Sequence, residues 1–413
     1  MTATIPRQMR FVPRAARLRD WCAFPTVASL FAGLLTNVRF HFGGLASVGE
    51  TVLALVALFA VFANLANPRF WKRRLLIGLL ALGVSLLGYI LSDLINSTPP
   101  DRLLRGWARM AFVIMDFTAI WALSRNSTRN LVAVCVGDSL SSLLSYFQEP
   151  RHDLFYDYKF HFAMPFTVIV MLGIPLLLRR RADMATGIGV ICMGMCHIWV
   201  DSRTAGAVCI LVGFVMIARR LTASRLRSLY LSLLALALIL SSTAIGLLYT
   251  VTDSSFGDRR ESSNSFRFSA AMAGINAIKR SPVIGLGSWV WDPEMWNTFS
   301  ARMGRANIGN SSAGDTMGPH SQIVQAWAEA GLLGLVFFVY FGRLLLKALY
   351  ILCFRRTLDW MTPLFLCYLL LALWDLCFSP FANLHRFLIA LNLAMAIHIL
   401  SERISHRARA DLR

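Results

Sequence analysis

The chain has 413 residues, of which 56% are hydrophobic and only 15% charged, with a mean hydropathy of +0.58. Soluble domains are nearer half apolar and a quarter charged, so this composition excludes a soluble globular protein. The formal net charge of +19 requires no nucleic-acid partner, because Lys and Arg collect in the cytoplasmic loops of membrane proteins.

A membrane helix needs about 20 mostly apolar residues, within a range of roughly 17 to 25. In chain order the candidate spans are 24–40, 49–66, 74–94, 109–124, 129–147, 162–179, 185–200, 204–219, 229–250, 327–350, 359–378 and 384–402. The basic stretch before Trp21, followed by the apolar run from Phe24 to Leu35, has the outline of a signal peptide. Removing it leaves an odd number of crossings and breaks the charge pattern, so it is read as the first helix. With the N-terminus inside, 26 of the 41 basic residues fall in cytoplasmic segments, and seven of the rest belong to one long loop, a weak topology determinant. The expectation is a single integral membrane domain over 1–413. It is an all-α polytopic fold of about 12 transmembrane helices, with both termini cytoplasmic and one long outer loop, 252–320, containing short helices.

In the first half, Arg102, Arg105 and Arg109 lie at i, i+3 and i+7 and so share one helical face on the outer side. Outer positive charge opposes the positive-inside rule, and the three are read as contacts for the phosphates of a lipid. Asp116 and Asp138 are intramembrane acids of the kind that mark translocation paths, but no matching array of intramembrane basic residues accompanies them. The eight cysteines fall in or beside apolar spans and none in the long loop, so no disulfide staples that loop. Cys192, Cys196 and His197 are read as buried side chains, since tetrahedral zinc requires further ligands that this neighbourhood lacks.

Arg203 stands at a membrane boundary in Asp201-Ser202-Arg203-Thr204-Ala205-Gly206. An arginine at a helix centre costs about 2.5 to 3.5 kcal/mol on insertion scales. It therefore either snorkels to the outer interface beside Asp201 or has a functional reason to be there. In the long loop, Phe268, Met272, Ile275 and Ile278 are near helical spacing and predict an amphipathic helix over 265–279. Ser281-Pro282 ends it, and Gly285-Leu286-Gly287 permits a tight turn before Trp289, Trp291 and Trp296. These tryptophans either anchor at headgroup depth or stack on sugar faces. The small, polar stretch from Asn310 to Pro319 suits a mobile gate. His320 then sits at or just before a helix N-terminus, where nearby negative charge is favoured.

The Asp201-Ser202-Arg203 element, the stretch from Arg267 through Pro282 to Gly285-Leu286-Gly287, and His320 leading into Glu329-Ala330-Gly331-Leu332-Leu333-Gly334 occur in that order. Together they resemble the O-antigen ligase and O-antigen polymerase superfamily of bacterial envelope glycosyltransferases, over about 201–335 by motif and elsewhere by hydropathy. Members often carry Asn after the histidine; here the position is Ser321, which can still cap the helix.

The resemblance implies a GT-C-like fold in the bacterial inner membrane, with the long loop and active site facing the periplasm. It implies transfer of a glycan from undecaprenyl diphosphate to an acceptor, with no nucleotide, metal or other cofactor. Arg203 and Arg267 are then catalytic residues that hold the diphosphate, which a planar, permanently charged guanidinium suits. His320 is the general base for the acceptor hydroxyl. Ser321 and Asp375 are supporting residues; Asp375 either orients His320 or an arginine, or forms a structural ion pair. Arg102, Arg105 and Arg109 are assigned to phosphates of the acceptor. The first reading is an O-antigen ligase, with undecaprenyl-diphosphate-linked O-antigen as donor, lipid A-core oligosaccharide as acceptor, and membrane lipids around it. An O-antigen polymerase is the near alternative, and a lipid-linked glycan flippase or transporter the distant one.

Overall fold

A computed structural model describes residues 24–41, 45–68, 70–124, 127–148, 154–178, 182–200, 202–219, 270–289, 319, 321–354, 359–381 and 383–411. The expected span 229–250, and with it the count of crossings, lies outside them. So do Asp201, Arg267, His320, Trp291, Trp296 and the stretch 310–318.

The described chain is almost entirely helical. Its helices are α1 (Phe24–Leu34), α2 (Val48–Ala63), α3 (Arg73–Ile95), α4 (Pro100–Ser124), α5 (Thr128–Gln148) and α6 (Ala163–Leu178). There follow α7 (Ala182–Trp199), α8 (Arg203–Ala218), α9 (270–280), α10 (Gln322–Phe354), α11 (Thr362–Phe378) and α12 (Asn383–Asp411). A turn at Leu154–Asp157 and a π-helical turn at Tyr158–Phe162 lead into α6. Among the described residues, five segments are long and apolar enough to cross a bilayer, and six shorter apolar helices accompany them. Their outward faces remain apolar, with Phe59 75%, Leu80 67% and Val339 64% exposed. Apolar belts of this size belong against lipid or a partner rather than water, and the protein is a helical membrane protein.

One departure from the all-helical expectation is a small antiparallel pair, β1 (Arg39–His41) and β2 (Leu45–Ser47), in register Arg39↔Ser47. It occupies the end of the expected first span because α1 stops at Leu34. There the polar residues after it are bonded elsewhere: the Asn37 N–H donates to Ser141 Oγ of α5 at 2.8 Å, and the Thr36 hydroxyl donates back to the Gly33 carbonyl of α1. Two glycines make the α1–α5 crossing close. A Cβ at Gly33 or at Gly137 would overlap the carbonyl of Val134 or Leu30 respectively.

The core lies where α10, α11, α12 and α4 converge, with Phe337, Phe341, Phe365 and Phe117 fully buried. Phe337 and Phe341 stack at 5.6 Å, one helical turn apart. Buried charge is paired here as well. Arg386 of α12 grips Glu50 of α2 through Nε and Nη2, both at 2.8 Å. Glu50 in turn closes a capping box with Ser47 at the start of α2, so one carboxylate serves the helix end and the interhelical pair. The Arg386 guanidinium also lies over the Phe112 ring at 5.1 Å.

Candidate active site

The long loop returns to the bundle through α9. The described residues of this helix, 270–280, bury a face different from the expected one, and 265–269 lie outside the described residues. Ala270, Ala273 and Ala277 are buried, whereas Ile275 is exposed. The reason is close packing. A Cβ at Gly274 would lie 2.6 Å from Val324 Cγ1 and 2.8 Å from Pro319 Cγ, so only a small-residue stripe lets α9 approach the first turn of α10. Pro319, the chain neighbour of His320, is thereby packed against α9. Residues 270–289 also follow Arg267 in the chain by only a few positions.

After α9 the backbone makes a second close approach. The N–H groups of Leu286 and Gly287 donate to the carbonyls of Ala328 (2.8 Å) and Glu329 (3.0 Å), and the Leu332 N–H donates to the Val283 carbonyl (3.0 Å). Those carbonyls are exposed because α10 is broken at Gly331, whose φ of 62° and ψ of −152° interrupt the helix. Gly285 and Gly287 also have positive φ. Side chains at Gly285 and Gly331 would collide with each other's backbone neighbourhood: a Cβ at Gly285 would stand 2.5 Å from the Glu329 carbonyl oxygen, and one at Gly331 would overlap Val283. The glycines of the two sequence motifs thus satisfy one joint requirement, the crossing of two backbones.

Side chains of α3 and α4 seal this junction. The Ser92 hydroxyl donates to the Glu329 carbonyl (2.7 Å) and accepts from the Gly287 N–H (3.0 Å). Asp93 accepts from the Ser288 N–H (2.5 Å), the Ser288 hydroxyl (2.7 Å) and the Trp107 indole (2.8 Å). Asn96 donates to the Gly285 carbonyl at 3.1 Å. Gly106 leaves room for Ser288, since a Cβ there would overlap its hydroxyl.

At the centre is an ion pair that the sequence reading missed. Arg109, 2% exposed, pairs with Glu329 through Nη2 and donates from Nη1 to the Phe381 carbonyl at 3.1 Å. Its guanidinium is caged by the rings of Phe381 (4.6 Å), Trp289 (4.9 Å) and Tyr89 (5.3 Å). Gln325, one turn before Glu329, donates to Glu329 Oε1 at 3.0 Å and accepts from the Phe381 N–H at 2.8 Å. The pair therefore ties α4, α10, the start of α12's connection and the glycine loop together. A signal did exist: Arg109 and Glu329 are both charges within expected membrane spans, and such residues seldom stand unpartnered.

This arrangement divides the three arginines expected to share one face. Arg105 is exposed and Arg102 half-buried, but Arg109 turns inward and is spent on Glu329. The physical cause is the seven-residue separation, which carries Arg109 two turns down α4 into the region covered by Trp289 and Phe381.

Arg203 is the exposed first residue of α8. It is set there by a hairpin of α7 and α8 held by glycines in reciprocal contact. A Cβ at Gly206 would lie 2.8 Å from the Gly194 carbonyl, and one at Gly194 would lie 2.8 Å from the Gly206 carbonyl. The Ser202 N–H donates to the His197 carbonyl at 2.8 Å. His197 is fully buried, with its ring nitrogens on Tyr158 Oη (3.0 Å) and Thr167 Oγ1 (2.7 Å). Cys192 and Cys196 are exposed instead, contrary to the expectation that they are buried, because α7 turns that face away from α6 and α8.

Ser321 caps α10, its Oγ accepting from the Val324 N–H and donating to the Leu376 carbonyl, both at 3.3 Å. The described partners of Asp375 are Ser379 Oγ (2.6 Å) and His385 Nδ1 (3.5 Å). Asp138 accepts from Tyr368 Oη at 3.1 Å, and Asp116 is buried with no hydrogen-bond partner among the described residues.

Residues 188–339 match the model of a family described as O-Antigen ligase. No curated protein matches the chain. The matched stretch contains Arg203, Arg267, His320 and both partners of the glycine crossing, and over residues 188–339 the chain is similar to that family.

Proposed function

We propose that the protein is an O-antigen ligase that transfers O-antigen glycan from undecaprenyl diphosphate to lipid A-core oligosaccharide. The observation that carries this reading is the docking of Gly285–Gly287 onto the Glu329–Gly331 break, inside the family-matched stretch. This junction anchors both polypeptide ends that lead to the residues expected to do chemistry, 270–289 after Arg267 and Ser321 after His320.

In the reaction, an acceptor hydroxyl oxygen attacks the anomeric carbon of the donor glycan. The bond from that carbon to the diphosphate oxygen breaks as the new glycosidic bond forms, and the anomeric centre inverts. His320 takes the hydroxyl proton, while Arg203 and Arg267 neutralise the departing undecaprenyl diphosphate. The donor is already activated, so the step calls on neither nucleotide nor metal. Arg102 and Arg105, at the start of α4, serve phosphates of the acceptor; Arg109 serves the fold. In the proposed orientation the chain crosses the bacterial inner membrane about twelve times with both termini cytoplasmic, and the site opens to the periplasm.

The test supplies purified protein with carrier-linked glycan and either lipid A-core or further carrier-linked glycan, without nucleotide. Glycan joined to lipid A-core supports the ligase. Elongation of carrier-linked glycan alone overturns it in favour of a polymerase, and no transfer to either overturns glycosyl transfer itself.

A further inference from the structure

Asp116 of α4 is fully buried, and neither of its carboxylate oxygens has a hydrogen-bond partner among the described residues. The charged groups that act on it are Glu50 of α2 and Arg386 of α12. The other described helices packed on α4, namely α1, α3 and α5, contribute none. Phe112 and Asp116, at i and i+4, share one face of α4, and the Arg386 guanidinium lies over the Phe112 ring at 5.1 Å. That guanidinium is nevertheless committed to Glu50, through Nε and Nη2 at 2.8 Å.

An ionised carboxylate beside an arginine and away from water pairs with it. Asp116 does not, and a buried carboxylate without a partner neutralises itself by taking up a proton. A neutral acid leaves two polar oxygens unpaired, which costs far less than a whole charge. The charge count agrees: two carboxylates and one guanidinium become neutral with one added proton. A metal cation fits poorly, because a hard cation takes several oxygen ligands and is repelled by the neighbouring guanidinium. No group of three metal-ligating side chains occurs among the described residues.

We propose that Asp116 is a proton-binding site and that its proton selects the partner of Arg386. With the proton on Asp116, the guanidinium stays on Glu50; without it, Asp116 and Glu50 compete for one cation. Arg386 stands five positions beyond Phe381, whose carbonyl accepts from Arg109 and whose N–H donates to Gln325. The proton thereby holds the start of α12 against the Arg109–Glu329 junction. The inference rests on buried charge and not on the transferase reading, so either can fail alone.

The experiment records infrared spectra of the full chain in detergent at neutral pH in potassium buffer. Wild type is expected to show a carboxylic acid C=O stretch that moves when aspartate, but not glutamate, carries carbon-13 at the side-chain carboxyl. Asp116→Asn removes this band and keeps or raises the unfolding temperature, since the amide copies the neutral acid. Glu50→Gln, which preserves the capping box, removes the band as well, because Asp116 then ionises to pair with Arg386. Hydrogen exchange at the Phe381 amide becomes severalfold faster in Glu50→Gln and is unchanged in Asp116→Asn. A spectrum unaltered by Asp116→Asn, a band that survives Glu50→Gln, or equal Phe381 exchange in all three proteins would each overturn the proposal. Loss of the wild-type band when sodium replaces potassium would overturn it in favour of a metal cation. If Glu50→Gln fails to fold, the pH of wild type is raised until the band disappears; Phe381 protection must fall with it, and constant protection sinks the idea.

Discussion

Arg109 and Glu329, 220 positions apart, form an ion pair buried on both sides, and this pair fixes the loop that carries Gly285 to Ser288 against the break in α10. Removing one partner leaves an uncompensated charge away from water, which costs about 3–5 kcal/mol. We expect Arg109→Ala and Glu329→Ala each to lower thermal stability in detergent by an amount of that order. The double substitution Arg109→Met with Glu329→Met should cost clearly less than the sum of the singles, because no charge is stranded. Additive losses would show that the two residues do not interact.

Gly331→Ala should be among the most damaging of small substitutions. Its φ of 62° with ψ of −152° belongs to a region open almost only to glycine, at a cost of about 1–3 kcal/mol for other residues. The added Cβ also overlaps the Val283 carbonyl. Gly83 is the matched control, since nothing lies within 4 Å of a Cβ built there. Gly83→Ala should leave the unfolding transition within about 1 kcal/mol of wild type or raise it. Equal behaviour of the two variants would remove the backbone crossing as the reason for Gly331.

For the chemistry, His320→Ala is expected to lower transfer by about 10² to 10⁴ while leaving carrier-lipid binding intact. Arg203→Lys keeps the charge and loses the planar fork, and a loss of about tenfold or more is expected from the missing second hydrogen bond. Initial rates with purified carrier-linked glycan measure both. Wild-type turnover in Arg203→Lys would reduce that residue to an interfacial anchor.

Arg102→Gln with Arg105→Gln should raise KM for lipid A-core by roughly fivefold per charge removed, the upper range for an exposed ionic contact, with kcat and the donor KM nearly unchanged. Such a split is what separates acceptor contact from loss of structure. If KM for the acceptor does not move, the exposed end of α4 plays no part in acceptor recognition. Arg109 gives no comparable readout, since its replacement perturbs the fold first.

The helical membrane architecture and most helix positions were legible in the chain. Hydropathy depends on composition over about 20 residues, which a local run supplies by itself. The order of the Arg203, Arg267 and His320 elements was likewise a local pattern, and it pointed to the family that residues 188–339 match. Side-chain roles were less legible wherever two distant segments meet. Helical spacing placed Arg109 with Arg102 and Arg105, yet spacing is blind to what covers the next turn, and Trp289 and Phe381 cover it. The buried face of α9 was misjudged for the same reason. Large apolar residues suggested one face, but the crossing with α10 admits only the face of Ala270, Ala273, Gly274 and Ala277. By itself, then, the sequence determined a polytopic helical protein and its chemical vocabulary, because lipid solvation and residue chemistry act locally. Only the tertiary structure decided that Glu329 belongs to Arg109 and that Gly285 and Gly331 exist for each other. Burial of a charge and contact between backbones are properties of pairs that the chain brings together only on folding.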